Sequence, residues 1–273
     1  MSAPSVGRLG RASGGLVVSP SARVVRVIAR VSLGLAAIVG AFIVYAAPEH
    51  ASQIDYQLYV QAARHFLATG DFYSFGFWTT GGGTPGIHFS PVLYPPIVLY
   101  LLVPFTVLPP ILWWVIPIGV TAAAILRLRP AEWTWPFIAA AFVWPRTAAI
   151  LWFGNPGLWV VMFVALGCLY EWPAVLVLLK PSLAPFALVG IRSRGWWLGL
   201  GILGVASVPL LGLWTDYVSL LARMHLPLSY SLLDVPTTAL PFLAWLGRDG
   251  RVPSLDSVRA VVRHSVPPSP AQP

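Results

Sequence analysis

Between Val27 and Leu246 the chain is a succession of apolar runs, parted by short breaks that carry Pro, Gly and Arg. No other feature limits the possible folds as severely. Runs of about 20 apolar residues are long enough to cross a bilayer core, and in lipid only helices and closed barrels satisfy their own backbone polar groups. Composition agrees, with 57% hydrophobic and 10% charged residues and a mean hydropathy of +0.76. The expectation is an all-α, polytopic membrane protein. The formal charge of +8 would also suit nucleic acid. However, the arginines are dispersed and many flank apolar runs, which reads as a topology signal and argues against a nucleic-acid partner. The single cysteine, Cys168, lies inside an apolar run and offers neither a disulfide framework nor a cysteine metal site. It reads as a packing residue.

Residues 1–26 hold Arg8, Arg11, Arg23 and Arg26 and no acid, the pattern of a disordered cytoplasmic tail. A first span is expected from Val27 to Ala47. A cleaved signal peptide competes with that reading, but the apolar stretch exceeds a typical signal core and Pro48 would follow the cut. Further spans are expected from Pro91 to Leu108, Ile111 to Leu126 and Trp133 to Phe153, the last containing Arg146. Simple alternation puts Arg127 and Arg129 outside, against the positive-inside bias. GNPG at 154–157 breaks the pattern, and Leu158 to Tyr170 is short for a crossing. The run from Pro173 to Gly190 has the only lysine, Lys180, at its centre, which suggests broken helices lining a cavity. Gly195 to Trp214 is a return crossing, followed by an outer interfacial segment from Thr215 to Leu226. A last span, Leu228 to Leu246, carries Asp234 and Pro236. The expected organisation is a basic tail at 1–26, a membrane domain at 27–246 and a second basic tail at 247–273. Both tails are then cytoplasmic, with about eight apolar segments between them.

The outer loop, residues 48–90, is the only long stretch that is neither span nor tail. Leu58, Tyr59, Ala62, Ala63, Phe66 and Leu67 recur at three- and four-residue spacing, which predicts an amphipathic helix of about four turns ended by Gly70. Beside a long apolar segment, its apolar face is expected in the headgroup boundary. Asp55 sits in its first turn. Ser52-Gln53-Ile54-Asp55 matches a capping box, so the acid has a structural reading as well as a chemical one, and the two are compatible. Asp71 reads as a turn residue after Gly70. Gly81-Gly82-Gly83 lacks the strand-to-helix context of a nucleotide-binding loop and reads as flexible. Most of the 13 tryptophans fall near proposed span ends, including Trp113, Trp114, Trp133, Trp135, Trp172, Trp196, Trp197 and Trp214. An aromatic belt accounts for them.

Asp55, Tyr59, Ala62, Ala63, Arg64 and Gly70, followed by Tyr73 and by Tyr94-Pro95-Pro96, form a pattern that resembles the polyprenol-phosphate-mannose-dependent mannosyltransferases. These are membrane enzymes of the GT-C fold, similar to glycosyltransferase family 87. Gly154-Asn155-Pro156-Gly157 looks like a variant of that family's G-Q-[VI]-N element, with Asn155 and Pro156 where the family usually has Gln and an aliphatic residue. Lys180-Pro181 resembles its K-P element. The likeness covers roughly residues 30–225, and family members usually continue through further spans.

The resemblance implies a GT-C-like helical bundle in a cell membrane. Asp55 at its outer face would be the general base that deprotonates an acceptor hydroxyl. One carboxylate suffices there, since the phosphate leaving group needs no acid partner. Arg64, His65, Lys180 and Arg223 are candidates for the donor phosphate, and Arg146 is a further intramembrane cation with snorkelling as its bland alternative. His88 and Trp78 are candidates for the acceptor or sugar, although an isolated loop histidine is more often solvated and Trp78 could lie on the membrane. No HExxH, DxD or Cys/His cluster is present, so no metal is expected, and no cofactor beyond the polyprenyl phosphate sugar as co-substrate. The implied partners are the bilayer, the lipid-linked donor, a lipid or glycan acceptor and a second membrane chain supplying further helices. Two rivals stand beside the enzyme: a non-catalytic relative that binds lipid-linked sugar or joins an envelope-assembly complex, and a small-solute transporter. Transport predicts inverted repeats, and none is visible.

Overall fold

The computed structural model describes residues 53–74, 76–80, 87–223 and 232–248, with scattered helical positions between 24 and 34. For 76–80 and 87–91 it describes the backbone alone. Nearly all of both tails, most of the first expected span and the cap candidate Ser52 lie outside the described residues.

Helix α1, Ile54–Thr69, forms where the apolar spacing places it. It ends at Gly70, whose φ of 80° is the left-handed conformation that glycine adopts without a Cβ penalty, and whose N–H reaches the Phe66 carbonyl at 2.8 Å. The start differs from the capping-box reading. Gln53, at φ 66°, occupies the N-cap without a side-chain cap. Its N–H donates to the Trp152 carbonyl at 3.0 Å, tying α1 to a distant part of the chain. The expected membrane face of α1 is also corrected. Leu58, Tyr59, Ala62 and Ala63 are buried within protein, while Leu67 is exposed. Two adjacent alanines without solvent exposure allow close approach, and α1 packs on the apolar helix that follows the loop.

Between these helices β1, Gly76–Thr80, pairs antiparallel with β2, Ile87–Pro91, while the glycine run expected to be flexible, Gly81–Gly83, lies outside the described residues. Aromatic and β-branched residues either side of a glycine run favour such a ladder. The rest is helical. Helix α2, Pro96–Thr106, mixes 3-10 and α turns, with prolines removing backbone donors at both ends. Helix α3 is Leu112–Leu128. The run expected as one span over 133–153 is two helices, α4 (Glu132–Phe142) and α5 (Pro145–Phe153), bent by 60°. Pro145 opens α5 and drives Trp144 into an extended conformation, ψ 131°, which no continuous helix accommodates.

Helix α6, Gly157–Tyr170, is the centre of the molecule. It is apolar all round and buried along most of its length, the pattern of a core helix. Around it pack α3, two 3-10 segments at Trp172–Leu179 and Pro181–Gly190, and a last helix, α8. The break expected near Lys180 falls on Lys180 itself, which leaves helical geometry at φ −127°, ψ 86°. Helix α7 runs unbroken from Arg194 to Arg223, so the crossing and the described part of the interfacial segment expected after it, up to Arg223, are one helix. Ser193 caps it, accepting the Trp196 N–H at 3.0 Å. Helix α8 is Val235–Leu246.

Among the described residues α7 is the one helix long and apolar enough by itself to cross a membrane, and α4 with α5 passes the same test if counted as one bent span. Helices α2, α3, α6 and α8 are apolar but shorter. Leu198, Ile202, Val205, Leu211 and Val218 of α7 are exposed. Trp172 and Trp197 are also exposed, but Trp113 and Trp196 are corrections to the aromatic belt: both are buried. Trp113 packs against Tyr56, Phe105 and Trp159.

Candidate functional site

The turn between α5 and α6 builds the site. Gly154 caps α5 at φ 66°, and a Cβ there would lie 2.6 Å from the Trp114 ring and 2.9 Å from Tyr56 Cβ. The turn is held from outside by two indoles. Trp113 Nε1 donates to the Gly154 carbonyl and Trp114 Nε1 to the Leu151 carbonyl, each at 2.8 Å. Tyr56 lies against both rings, with centroids 5.6 and 5.2 Å away. The first turn of α1 is thereby set against GNPG.

Asn155 is buried at this turn. Its Oδ1 accepts the Gly157 N–H at 2.8 Å and the Tyr94 hydroxyl at 3.2 Å, which fixes the orientation of the amide. Its Nδ2 therefore points the other way and donates to Asp55 Oδ2 at 2.6 Å. This departure from the family-like element supplies a polar contact to the very carboxylate that the resemblance singled out. Asp55 is half-buried. Burial raises its carboxyl above the ordinary 3.8, offset in part by the Asn155 hydrogen bond and by the charges of Arg146 and Lys180, while Asp234 pushes the same way as burial.

The cations belong to a second cluster. Asp234 is 1% exposed and bridges two of them: Oδ1 accepts from Arg146 Nε at 2.7 Å and Oδ2 from Lys180 Nζ at 2.5 Å. Lys180 reaches it because the chain leaves helical geometry there, and Arg146 because it opens α5 after the bend. Tyr94 joins the clusters. Its hydroxyl is on Asn155, and its ring lies 5.8 Å from the Lys180 ammonium. Tyr73 donates to the Tyr94 carbonyl at 2.8 Å and holds that segment in place. Next to Arg146, Thr147 donates to the Ala141 carbonyl across the α4–α5 bend, and its hydroxyl pairs with that of Thr237 at 2.6 Å.

Of the residues expected in the site, Asp55 and Lys180 are brought into one electrostatic neighbourhood, with Arg146 beside them. The others are placed elsewhere. Arg64 donates to the Thr106 carbonyl at 3.1 Å and straps α1 to α2 on the exposed side. His65 Nε2 lies 3.4 Å from Ser74 Oγ. Arg223 is exposed in the last turn of α7. His88 and Trp78 occupy β2 and β1, opposite Thr79 and Phe89, and their side chains lie outside the described residues. Asp71 is the turn residue expected: its Oδ1 accepts the N–H groups of Tyr73 and Ser74, both at 3.1 Å. Hydrogen bonds from Ser74, the side chain foremost, hold its carboxyl below the usual range. Among the described residues no group of three or more His, Cys, Asp or Glu side chains converges on a metal position.

Sequence reasoning named Tyr94 only as part of the family-like pattern, without a place in the site, and gave Asp234 no role. The available signal was charge: an acid, a lysine and an arginine each stranded in an apolar run are expected to find one another.

The fold and site together define a helical protein with a half-buried carboxylate and a buried acid paired with two cations. No family model, curated protein or solved structure matches this chain.

Proposed function

We propose that this chain is a multi-pass membrane glycosyltransferase that moves mannose or a related sugar from a polyprenyl monophosphate donor to a lipid or glycan acceptor at the extracytoplasmic face. The reading rests most on one observation. Asp55 is a partly buried carboxylate oriented by an amide, Asn155, whose own orientation is fixed, and Lys180 and Arg146 act on it electrostatically. A base needs an oxygen held in one place and a proton affinity raised above that of a free carboxylate. Cations near it suit a phosphate leaving group, because negative charge accumulates on that phosphate as the glycosidic bond breaks.

In the proposed step the acceptor oxygen attacks the anomeric carbon, the bond from that carbon to the phosphate oxygen breaks with its electron pair going to the phosphate, and the acceptor proton passes to Asp55. Inversion follows from the single displacement. Lys180 and Arg146 replace Arg64 and Arg223 as the cations assigned to the phosphate.

The test is transfer from radiolabelled polyprenyl phosphomannose to membrane acceptors, by wild type and by Asp55→Asn at matched expression. Loss of about 10²–10⁴-fold in a folded Asp55→Asn protein is expected for a general base. A well-folded wild type that transfers nothing, in membranes where a known mannosyltransferase works, would sink the reading. The alternative of a non-catalytic protein that binds lipid-linked sugar is favoured by one feature: Lys180 and Arg146 are already both paired with Asp234.

A further inference from the structure

Five helices, α3, α4, α5, α6 and α8, enclose a cavity of about 560 Å³ with no charged residue in its wall. Ile138, Ala139, Leu158 and Val161 line it and are buried, whereas Ile118, Ala122, Leu126 and Phe142 line it and are exposed. The exposed set belongs to α3 and α4, so the cavity opens to the outside between those two helices. Three threonines stand in the wall. Thr147 and Thr237 pair with each other, and Thr147 donates to the Ala141 carbonyl. Thr121 has its hydroxyl sealed from solvent, with no partner among the described residues.

We propose that this cavity holds one acyl chain of a bilayer phospholipid, entering sideways between α3 and α4 and reaching α6. Ordered water does not suit the space, because a buried water makes about 2–4 hydrogen bonds and Thr121 offers a single group. A sugar or a phosphate would leave its polar atoms unpaired against the same wall. An apolar cavity of about 150 Å³ stays dry and takes a benzene ring, so on that scale this one has room for on the order of 20 carbon atoms, the size of one acyl chain. Left vacant, its lining would lose those dispersion contacts outright. A partner helix, about 10–12 Å across, is too thick for a space closed on the inside by α6 and α8, which pack on each other and on α3. An unbranched chain is thin enough. With no charged residue in the wall to choose a head group, the occupant is the chain a bilayer supplies in greatest amount. Leu151 and Leu158 flank the Gly154–Gly157 turn, Thr147 follows Arg146, and Thr237 lies one helical turn beyond Asp234. The bound chain therefore braces the helices that carry Asn155 and the ion pairs. The inference shares with the proposed function only its placement in a bilayer; it needs no sugar transfer.

The test is photolabelling from within the bilayer. Full-length protein is reconstituted in phosphatidylcholine vesicles doped with phosphatidylcholine that carries a diazirine half-way along one acyl chain, then irradiated, digested and read by mass spectrometry. Adducts are expected on Leu158 and Val161, buried side chains that lipid outside the molecule does not reach. Adducts on Leu198 and Ile202, on the exposed face of α7, register ordinary bilayer contact. Ala139→Phe, which puts a ring into the cavity, should abolish the Leu158 and Val161 adducts and leave those on α7 unchanged. Ala122→Trp should do the same from the exposed rim, and it keeps the test decisive if the first variant fails to fold. Adducts confined to α7 and the rim, or inner adducts that survive both substitutions, would overturn the inference and leave the bilayer placement standing. Adducts nowhere would overturn both. A chain that passes this test but transfers no sugar would retain the lipid site and lose the transferase.

Discussion

Asp55 and Asp234 are both carboxylates withdrawn from water, and they are treated in opposite ways. Asp55 is given a neutral partner, the Asn155 amide, and keeps its other oxygen out of that bond. Asp234 is given two cations, one on each oxygen, and is sealed inside. Desolvation beside a neutral partner favours the protonated form of a carboxyl, as at Asp55, whereas the carboxylate clamped between two cations serves as their shared counter-ion. One group is half-buried beside an amide, and the other ties three elements together through two ion pairs.

Substitutions can break that contrast, from the largest effect to the smallest. Asp55→Asn should lower sugar transfer by about 10²–10⁴-fold with little loss of thermal stability, since an asparagine keeps the size and has a neighbouring amide to pair with. Assay and melt together check this; equal loss of both would make Asp55 merely structural. Asp234→Ala in phosphate-free buffer should behave in the opposite sense, costing about 3–5 kcal/mol in chemical unfolding because two buried cations lose their counter-ion. Asn155→Ala lies between. It strands the Gly157 N–H and the Tyr94 hydroxyl, for about 1–3 kcal/mol, and removes a hydrogen bond that lowers the Asp55 pKa. The acid limb of a pH–rate profile should accordingly move to higher pH. Arg64→Ala, on the exposed side of α1, should change stability by less than about 1 kcal/mol and leave that limb where it is.

Burial of Asp55 also gives its pH dependence a definite sign. The folded Asp55 binds its proton more tightly than the unfolded chain does, so its contribution to stability is complete below 3.8 and is lost as pH rises toward its elevated folded value. Wild type should therefore lose stability relative to Asp55→Asn across that window. Melts of both proteins over a pH series measure the difference directly.

What could be read from the sequence was local. The period of α1, its stop at Gly70, the turn at Asp71 and the break at Lys180 all depend on residues within a few positions of one another. The site itself joins residues far apart. Asp55 meets Asn155 across 100 residues, and Asp234 meets Arg146 and Lys180 across 88 and 54. No periodicity encodes such pairings. GNPG was legible as a break but not as an amide with three partners, because that depends on Trp113 and Trp114 clamping the turn. The bend at Pro145 was hidden by an apolar run that reads equally well as one helix or two. The apolar face of α1 could have met lipid or protein, and only packing chose between them.

The indole clamp on the α5–α6 turn also gives the protein an optical signature. Tyr56, Phe105, Trp113, Trp114 and Trp159 are fixed at set tilts with centroids between 4.9 and 5.6 Å apart in their contacting pairs. Rings locked in an asymmetric array absorb left and right circularly polarised near-UV light unequally, and they stop doing so when side-chain packing melts while helices survive. Because the array grips the turn that carries Asn155, the difference in near-UV dichroism between wild type and Trp113→Phe, with 13 tryptophans in the chain, isolates the signal of that turn and reports whether it is assembled before any substrate is added.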